Sequence, residues 1–242
     1  MKTYGLIGKN ISYSFSKAYF SEKFKKENLQ GKYVNFDIAS IQEFPEILIQ
    51  ENSIAGLNVT IPYKQEIMAF LDELDPVAKE IGAVNTIKFS HGKKTGYNTD
   101  YYGFLESLKP FLPSEKISAL ILGTGGASLA IAYALKKLEI PFHFVSRTGE
   151  KAKFIYTDLN EEIIKNHRLI INCTPLGTAP NTQNYPQVPV NFIGAKHLVF
   201  DLIYNPPTTK LMELAAKNGA TVINGQKMLE LQAEKAWQIW ND

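Results

Sequence analysis

Three observations on the sequence predict an α/β protein of two domains. Short apolar runs alternate with helical patterns along all 242 residues, as in a mostly parallel sheet covered by helices. Pro110 and Pro113 interrupt this alternation and mark a boundary between two halves. A strand, a glycine turn and a helix follow at 117–136, an arrangement typical of a doubly wound, Rossmann-like domain.

The composition excludes several classes of protein. With 45% hydrophobic and 21% charged residues, the chain has the composition of a soluble globular protein. A net charge of +2 gives no indication of a nucleic-acid or membrane partner. The single cysteine, Cys173, rules out a disulfide framework, and no run has the length of a membrane span or the pattern of a signal peptide. We therefore expect a cytoplasmic protein, and the four scattered histidines predict no metal site.

The first half is predicted to alternate strands and helices. Strands are expected at 2–8, 33–37, 54–59, 83–89 and 94–98, with His91 and Gly92 forming a hairpin turn. Helices are expected at 17–28, after a cap at Ser40, and at 66–74, where Pro76 stops or restarts the helix. A further helix runs from about 103 to 108.

The second half is predicted to repeat strand–helix units with short connections. Strands are expected at 117–122, 142–146, 169–174, 198–204 and 220–224, and helices after the glycine turn and near 150–156, 160–166, 210–218 and 228–240. The segment from Thr178 to Pro189 is expected to be a loop. Such units form a right-handed, mostly parallel sheet with helices on both faces.

The glycine turn contains Gly123, Gly125 and Gly126 between a strand and a helix. Glycines let the backbone approach a phosphate, which the first N–H groups of the helix then bind. The pattern alone is weak, because Ser128 stands where a dinucleotide fingerprint has a third glycine, and the stretch could be only a turn. The next strand ends in Ser146-Arg147-Thr148, with Lys151 close behind, where an NAD site would carry an acidic residue. The cations favour the 2′-phosphate of NADP over a merely solvated basic turn.

Lys64 and Asp100 are candidate acid–base residues, since each follows a strand at a turn. A lysine in a cleft can pass a proton to a reacting oxygen, and an aspartate can orient it. Taken singly, each is more often a solvated surface charge.

Several hydroxyl and amide side chains in the first half suit a polar ligand. Ser14 and Ser16 point the same way if their segment is extended, which suits a carboxylate or a polyol, although Ser16 could simply cap the first helix. Asn58, Asn85 and Asn98 each lie near a strand end. One such asparagine is often only a turn residue, but several together indicate a hydrogen-bonding pocket.

Taken together and in order, these stretches resemble the shikimate dehydrogenase family over nearly the whole chain. Asn58-Val-Thr-Ile-Pro-Tyr-Lys64 is similar to the family motif Asn-Val-Thr-x-Pro-[Phe/Tyr]-Lys. The other matching stretches are Ser14-Phe-Ser16, Gly82-Ala-Val-Asn-Thr86, Asn98-Thr-Asp100, Gly123-Thr-Gly-Gly-Ala127, Ser146-Arg-Thr148, Asn172-Cys-Thr-Pro-Leu-Gly177, Asp201-Leu-Ile-Tyr-Asn-Pro206 and Met228-Leu-x-x-Gln232.

The resemblance implies reversible, NADPH-dependent reduction of the ketone 3-dehydroshikimate to shikimate, in the biosynthesis of chorismate and aromatic amino acids. It implies Lys64 and Asp100 as catalytic residues and no metal, because the lysine supplies the electrophilic help that zinc would otherwise give. The substrate residues that it implies are Ser14, Ser16, Asn58, Thr60, Asn85, Tyr204 and Gln232. The NADP-binding residues that it implies are Gly123, Thr124, Gly125, Gly126, Ala127, Ser146, Arg147, Thr148, Lys151, Thr174, Leu202 and Gly225.

The resemblance also sets the expected domains: 1–101 for the substrate, 102–225 as the Rossmann-like NADP-binding domain, and 226–242 as a C-terminal helix that returns to the first. A cleft between the domains is expected to open and close around the substrate. A monomer or homodimer is expected, with no nucleic-acid or membrane partner. The chain departs from the family pattern at Lys17, Phe20, Ser146 and Lys227. Two alternatives stay open: a quinate/shikimate dehydrogenase, and a non-catalytic NADP-binding relative.

Overall fold

The computed structural model describes residues 1–12 and 14–242. The chain forms two compact units, one from residues 1–99 and 233–242 and the other from residues 100–232. Each unit contains a sheet with helices, so the predicted α/β class is confirmed. Among the described residues, no helix combines the length and the apolar character that crossing a bilayer requires.

The first unit is organised around a mixed, six-stranded sheet in the order β2-β1-β3-β5-β6-β4. Its strands are β1 (Lys2–Gly8), β2 (Gly31–Asp37), β3 (Ile54–Val59), β4 (Glu73–Leu74), β5 (Thr86–Ser90) and β6 (Lys93–Tyr97). β1 is parallel to β2 and β3, whereas β5 is antiparallel to both β3 and β6. Because β1 and β3 run side by side in one direction, the loops that follow them leave the same edge of the sheet.

Helices α1 (Phe15–Lys26), α2 (Phe44–Gln50) and α3 (Pro76–Ile81) belong to this unit, together with the end of α8 (Gln226–Asn241). Ser40 caps the short 3₁₀ turn that precedes α2, in a capping box with Glu43. The end of α8 packs through Trp240, whose ring nitrogen donates to the Ile87 carbonyl over 3.0 Å. The indole lies directly over Gly56, where a Cβ atom would collide with it.

The second unit is built on six parallel strands in the order β12-β11-β10-β7-β8-β9. Its strands are β7 (Ala119–Leu122), β8 (Phe142–Ser146), β9 (Phe154–Ile155), β10 (Leu169–Asn172), β11 (Leu198–Asp201) and β12 (Thr221–Ile223). Its helices are α4 (Asp100–Leu108), α5 (Gly126–Lys137), α6 (Glu161–Asn166), α7 (Lys210–Lys217) and the first part of α8. The strand order reverses between β7 and β10, so this is the doubly wound sheet that the sequence predicts, and its ligand crevice is expected at that point.

Two predicted helices are wrong. The segment expected to be helical at 66–74 is a 3₁₀ turn, Glu66–Phe70, followed by β4, which pairs with β6. The helix expected near 150–156 is replaced by β9, which pairs with β8. In both places a two-residue strand at a sheet edge ends the helical pattern, because pairing with the adjacent strand of the sheet outweighs the local periodicity.

Candidate active site

The two candidate serines lie at the start of α1. The Ser14 hydroxyl accepts the N–H of Lys17 over 3.1 Å and caps the helix, a position that the sequence had allowed for Ser16. Ser16 lies inside the first turn and is buried. The capping bond uses one acceptor position of Ser14 and leaves its hydroxyl proton for another partner.

Asn58, near the end of β3, is 4% exposed and is held by hydrogen bonds on both sides of its amide. Its Oδ1 accepts the Tyr33 hydroxyl over 2.8 Å. Its Nδ2 donates to the Asn85 carbonyl and to the Thr86 hydroxyl, each over 3.2 Å. These bonds occupy both donor positions, so this side chain is better placed to shape a pocket than to donate to a ligand.

Tyr33 continues this network toward α1. Burial raises the pKa of the Tyr33 hydroxyl, and a hydrogen bond with Ser16 opposes that rise. The phenol therefore stays protonated and donates to Asn58 across the physiological range. The bond from Tyr33 to Asn58 thus connects β2 to β3.

Asn85, which precedes β5, is fixed in the same manner. Its Oδ1 accepts the backbone N–H of Thr99 over 2.7 Å, and its Nδ2 donates to the Thr99 hydroxyl over 3.0 Å. Asn98 is buried too and donates to the Ala83 carbonyl over 2.9 Å. The structure therefore brings Asn58 and Asn85 into one hydrogen-bonded region of the first unit.

Sequence reasoning missed three residues of this network: Tyr33, Thr86 and Thr99. Both threonines lie within stretches that carried the family resemblance, directly after Asn85 and directly before Asp100. Their position in those motifs was the available signal. Tyr33 carried no signal, since an aromatic residue in a strand is usually a core residue.

The loop that follows β3 holds Thr60 and Lys64. The N–H of Thr60 donates to the Ile7 carbonyl over 2.9 Å, and the Lys64 carbonyl accepts the N–H of Val84 over 2.7 Å. Between them, the buried Tyr63 donates its hydroxyl to the Ile38 carbonyl over 2.8 Å. These anchors fix the backbone on both sides of the half-buried Lys64.

Asp100 is the first residue of α4 and is 6% exposed. A carboxylate at this end of a helix is stabilised by the helix dipole and by first-turn N–H groups. It begins the second unit, directly after Thr99 of the first.

The glycine turn between β7 and α5 has the backbone geometry of an anion site. Gly123 has a φ of +104°, a conformation that residues with side chains rarely adopt. Gly125 precedes α5 without a capping side chain, and the first N–H groups of a helix lack acceptors within it. Ser128 is fully buried and donates its hydroxyl to the Gly125 carbonyl over 2.6 Å. The serine thus fits inside the turn at the place of the third glycine.

The end of β8 presents two cations to solvent. Arg147, Thr148 and Lys151 are exposed, and the Ser146 hydroxyl donates to the Thr148 carbonyl. This bond closes the turn between Ser146 and Thr148, and the hydroxyl proton of the serine is then not available to a ligand. Arg147 and Lys151 therefore supply the positive charge there.

The remaining predicted residues follow β10 and β11 or lie in α8. Thr174 follows β10, and Leu202 and Tyr204 follow β11. Gly225 donates its N–H to the Ile203 carbonyl over 3.0 Å, and a Cβ atom there would collide with the Leu202 carbonyl.

Gln232 is buried and donates to the Leu229 carbonyl over 3.0 Å. Its helix lies close to α4, because a Cβ atom on Gly103 would come within 2.5 Å of the Met228 carbonyl.

The residues of the second unit fit a 2′-phosphorylated dinucleotide. An uncapped helix start behind a left-handed glycine suits a pyrophosphate, and two exposed cations at the next strand end suit a third phosphate. The residues that the structure describes contain no group of three or more side chains arranged to hold a metal ion.

Residues 6–87 match the profile of the shikimate dehydrogenase substrate binding domain. An NADP(+)-dependent shikimate dehydrogenase from Clostridium botulinum is 40% identical over 251 residues, covering 99% of this chain and 96% of the relative. The chain belongs to the shikimate dehydrogenase family. The identity extends over both units, so the family relation includes the doubly wound sheet and its glycine turn.

Two solved structures extend this comparison. Shikimate 5-dehydrogenase from Thermus thermophilus, in complex with NADP(H) and shikimate, has a TM-score of 0.89 at 30% identity and covers 99% of this chain and 93% of its own. Quinate dehydrogenase from Corynebacterium glutamicum, in complex with NAD, has a TM-score of 0.87 at 25% identity and covers 99% of this chain and 93% of its own. The fold is therefore shared by enzymes that differ in substrate and cofactor, and the choice between them depends on side chains.

Proposed function

We propose that this chain is a shikimate dehydrogenase that reversibly reduces 3-dehydroshikimate to shikimate with NADPH. The observation that carries the proposal is the near full-length identity of 40% to an NADP(+)-dependent shikimate dehydrogenase. Lys64 and Asp100 are both present in the chain, which argues against a non-catalytic relative.

In the proposed reaction, NADPH supplies a hydride to the carbonyl carbon of the substrate. The carbonyl oxygen gains negative charge and needs a proton. Lys64 donates a hydrogen bond to that oxygen and then its proton, while the Asp100 carboxylate orients the lysine and the hydroxyl that forms. Positioned proton transfer of this kind is worth roughly 10²–10⁴ in rate.

The first unit is proposed to bind the carboxylate and ring hydroxyls of the substrate. Ser14 and Ser16 are assigned to the carboxylate, since hydroxyl donors on one helix turn suit two carboxylate oxygens. Thr60 and Asn85 are assigned to the ring hydroxyls. The hydrogen bonds of Asn58 support a role in shaping this region, and Tyr204 and Gln232 complete the proposed substrate set.

The second unit is proposed to hold NADP. Gly123, Thr124, Gly125, Gly126 and Ala127 are assigned to the pyrophosphate. The residues assigned to the 2′-phosphate and its adenosine are Ser146, Arg147, Thr148 and Lys151. Thr174, Leu202 and Gly225 are assigned to the nicotinamide half. The two exposed cations support NADP over NAD, because NAD offers no third phosphate for them to bind.

Steady-state kinetics with shikimate or quinate, each paired with NADP⁺ or NAD⁺, test the proposal. We expect the highest kcat/KM for shikimate with NADP⁺. Turnover with none of the four pairs contradicts the enzymatic function, and a higher kcat/KM for quinate contradicts the substrate. A preference for NAD⁺ contradicts the role of Arg147.

A further inference from the structure

Asp201 is a buried carboxylate to which the proposed function gives no role. It is the last residue of β11, is fully buried, and receives three hydrogen bonds from uncharged donors. Its Oδ1 accepts Asn172 Nδ2 over 3.0 Å and the N–H of Ile203 over 3.1 Å. Its Oδ2 accepts the Thr209 hydroxyl over 2.7 Å. A buried charge is costly, so three groups that all converge on it as donors indicate a specific task.

The first of these bonds leads to the loop after β10. Asn172 pairs in register with Asp201, and it is also fully buried. Its Nδ2 faces Asp201, and its Oδ1 accepts both the N–H of Thr174 over 3.0 Å and the Thr174 hydroxyl over 2.7 Å. Asp201 therefore fixes the orientation of the Asn172 amide, and that orientation fixes Thr174.

Thr174 in turn contacts the glycine turn through its methyl group. A Cβ atom on Gly123 would lie 3.2 Å from the Thr174 methyl carbon, so this methyl group lies against the turn. β7 and β10 are neighbours at the point where the strand order reverses, which is where ligands of doubly wound sheets bind.

The second bond leads to the loop after β11 and the start of α8. Asp201 holds the N–H of Ile203, and the Ile203 carbonyl accepts the N–H of Gly225. Gly225 lies against the Leu202 carbonyl without room for a side chain. The segments that contain Gly123, Thr174, Leu202 and Gly225 are thus connected to one carboxylate.

We propose that Asp201, acting through Asn172 and Ile203, is a positioning residue that holds these four segments in the arrangement that binds NADP. The assignment rests on the proposed function, because these segments are its cofactor-binding residues. Asp201 touches no cofactor atom in this assignment. Its expected effect is on the affinity for NADP.

Asp201→Ala and Asp201→Asn test this role. The alanine variant leaves Asn172 Nδ2 and the N–H of Ile203 without their acceptor. We expect the dissociation constant of NADP⁺, measured by calorimetry without substrate, to rise roughly tenfold to a hundredfold, as for the loss of a buried charged acceptor. The asparagine variant keeps an oxygen toward Asn172 and Ile203 and turns its NH₂ toward the Thr209 hydroxyl, which can accept. We expect it to recover most of the affinity.

A second readout uses the cofactor-free protein. The amide hydrogens of Thr174 and Ile203 should exchange with solvent faster in Asp201→Ala than in the wild type. Asn172→Ala releases Thr174 without removing the carboxylate, and it should also weaken NADP⁺ binding. This variant keeps the test decisive if Asp201→Ala does not fold.

Asn160→Ala is the matched control, because it removes the N-cap of α6 in the same unit and touches none of the four segments. Affinity within about twofold of wild type in Asp201→Ala or Asn172→Ala would overturn the proposal. A rise as large in Asp201→Asn as in Asp201→Ala, or in Asn160→Ala, would overturn it too. A wild-type protein that neither binds NADP⁺ nor oxidises shikimate would instead contradict the proposed function.

Discussion

Replacing Tyr33 with phenylalanine is expected to affect both stability and substrate use. The Tyr33 hydroxyl is buried and donates to Asn58 Oδ1 over 2.8 Å. Phenylalanine keeps the ring, which stacks on Phe20 at 4.8 Å between centroids, and removes only the hydroxyl. An acceptor that is left buried and unpaired costs about 1–3 kcal/mol, so the free energy of unfolding should fall by that amount.

The same change should also alter the positions of the predicted substrate residues. Without the hydroxyl, Asn58 loses the bond that orients its amide, and Asn58 is itself bonded to Asn85. A misplacement equivalent to about 1 kcal/mol lowers kcat/KM for shikimate roughly fivefold. We expect little change in the KM for NADP⁺, because the network lies within the first unit.

Thr3→Val provides the matched control for this prediction. Thr3 is also buried in the first unit, and its hydroxyl hydrogen-bonds the Ser53 hydroxyl over 2.8 Å at the start of β1, away from the loop that holds Lys64. Urea unfolding followed by circular dichroism should show a loss of stability in both variants. Steady-state kinetics should show the loss of kcat/KM for shikimate in Tyr33→Phe alone. Equal kinetic losses, or no loss in Tyr33→Phe, would refute the positioning role of the hydroxyl.

Three further predictions concern acid–base catalysis, cofactor choice and pH. Lys64→Ala should lower kcat roughly 10²–10⁴-fold while changing shikimate binding far less, as measured by kinetics and calorimetry. Arg147→Ala should raise the KM for NADP⁺ roughly tenfold to a hundredfold and leave that for NAD⁺ nearly unchanged. Burial, with smaller contributions from His167 and Lys153, lowers the pKa of His143 below its ordinary value of 6.5. The folded state therefore favours neutral His143, and stability should fall as the pH drops below about 6.5, more steeply in the wild type than in His143→Gln.

Each of these predictions has a clear contrary result. A kcat of Lys64→Ala near that of wild type would exclude the lysine as the proton donor. Equal losses with NADP⁺ and NAD⁺ in Arg147→Ala would mean that the guanidinium does not read the 2′-phosphate. Parallel curves of urea midpoint against pH for wild type and His143→Gln would show that this histidine does not couple protonation to folding.

Local patterns in the sequence were sufficient for the α/β class, for most elements and for the glycine turn. Ile54–Val59 and Leu169–Asn172 are largely apolar runs with little alternative to a strand. The first has the predicted bounds, and the second begins where predicted but ends two residues before the predicted 174. The two failures, at Glu73–Leu74 and Phe154–Ile155, are strands of two residues. Such strands exist only through pairing with a neighbouring strand, which the periodicity of their own residues does not reveal.

The candidate site shows the same division between features predicted from local sequence and features decided by tertiary contacts. The residue types and their order in the sequence were enough to assemble Lys64, Asp100 and the cations at Arg147 and Lys151 into a hypothesis of NADP-dependent reduction. The sequence did not show that Ser14, not Ser16, caps α1.

Only the tertiary structure decided which polar side chains form hydrogen bonds to other residues of the protein. The amide of Asn58 is held by Tyr33 and Thr86, and Asp201 connects β11 to the loop after β10 through Asn172. The sequence alone determined which functional groups are present for catalysis and binding, because these groups belong to the residue types. Burial and hydrogen-bond partners join residues tens of positions apart, so the division between ligand-binding and positioning residues depended on the fold.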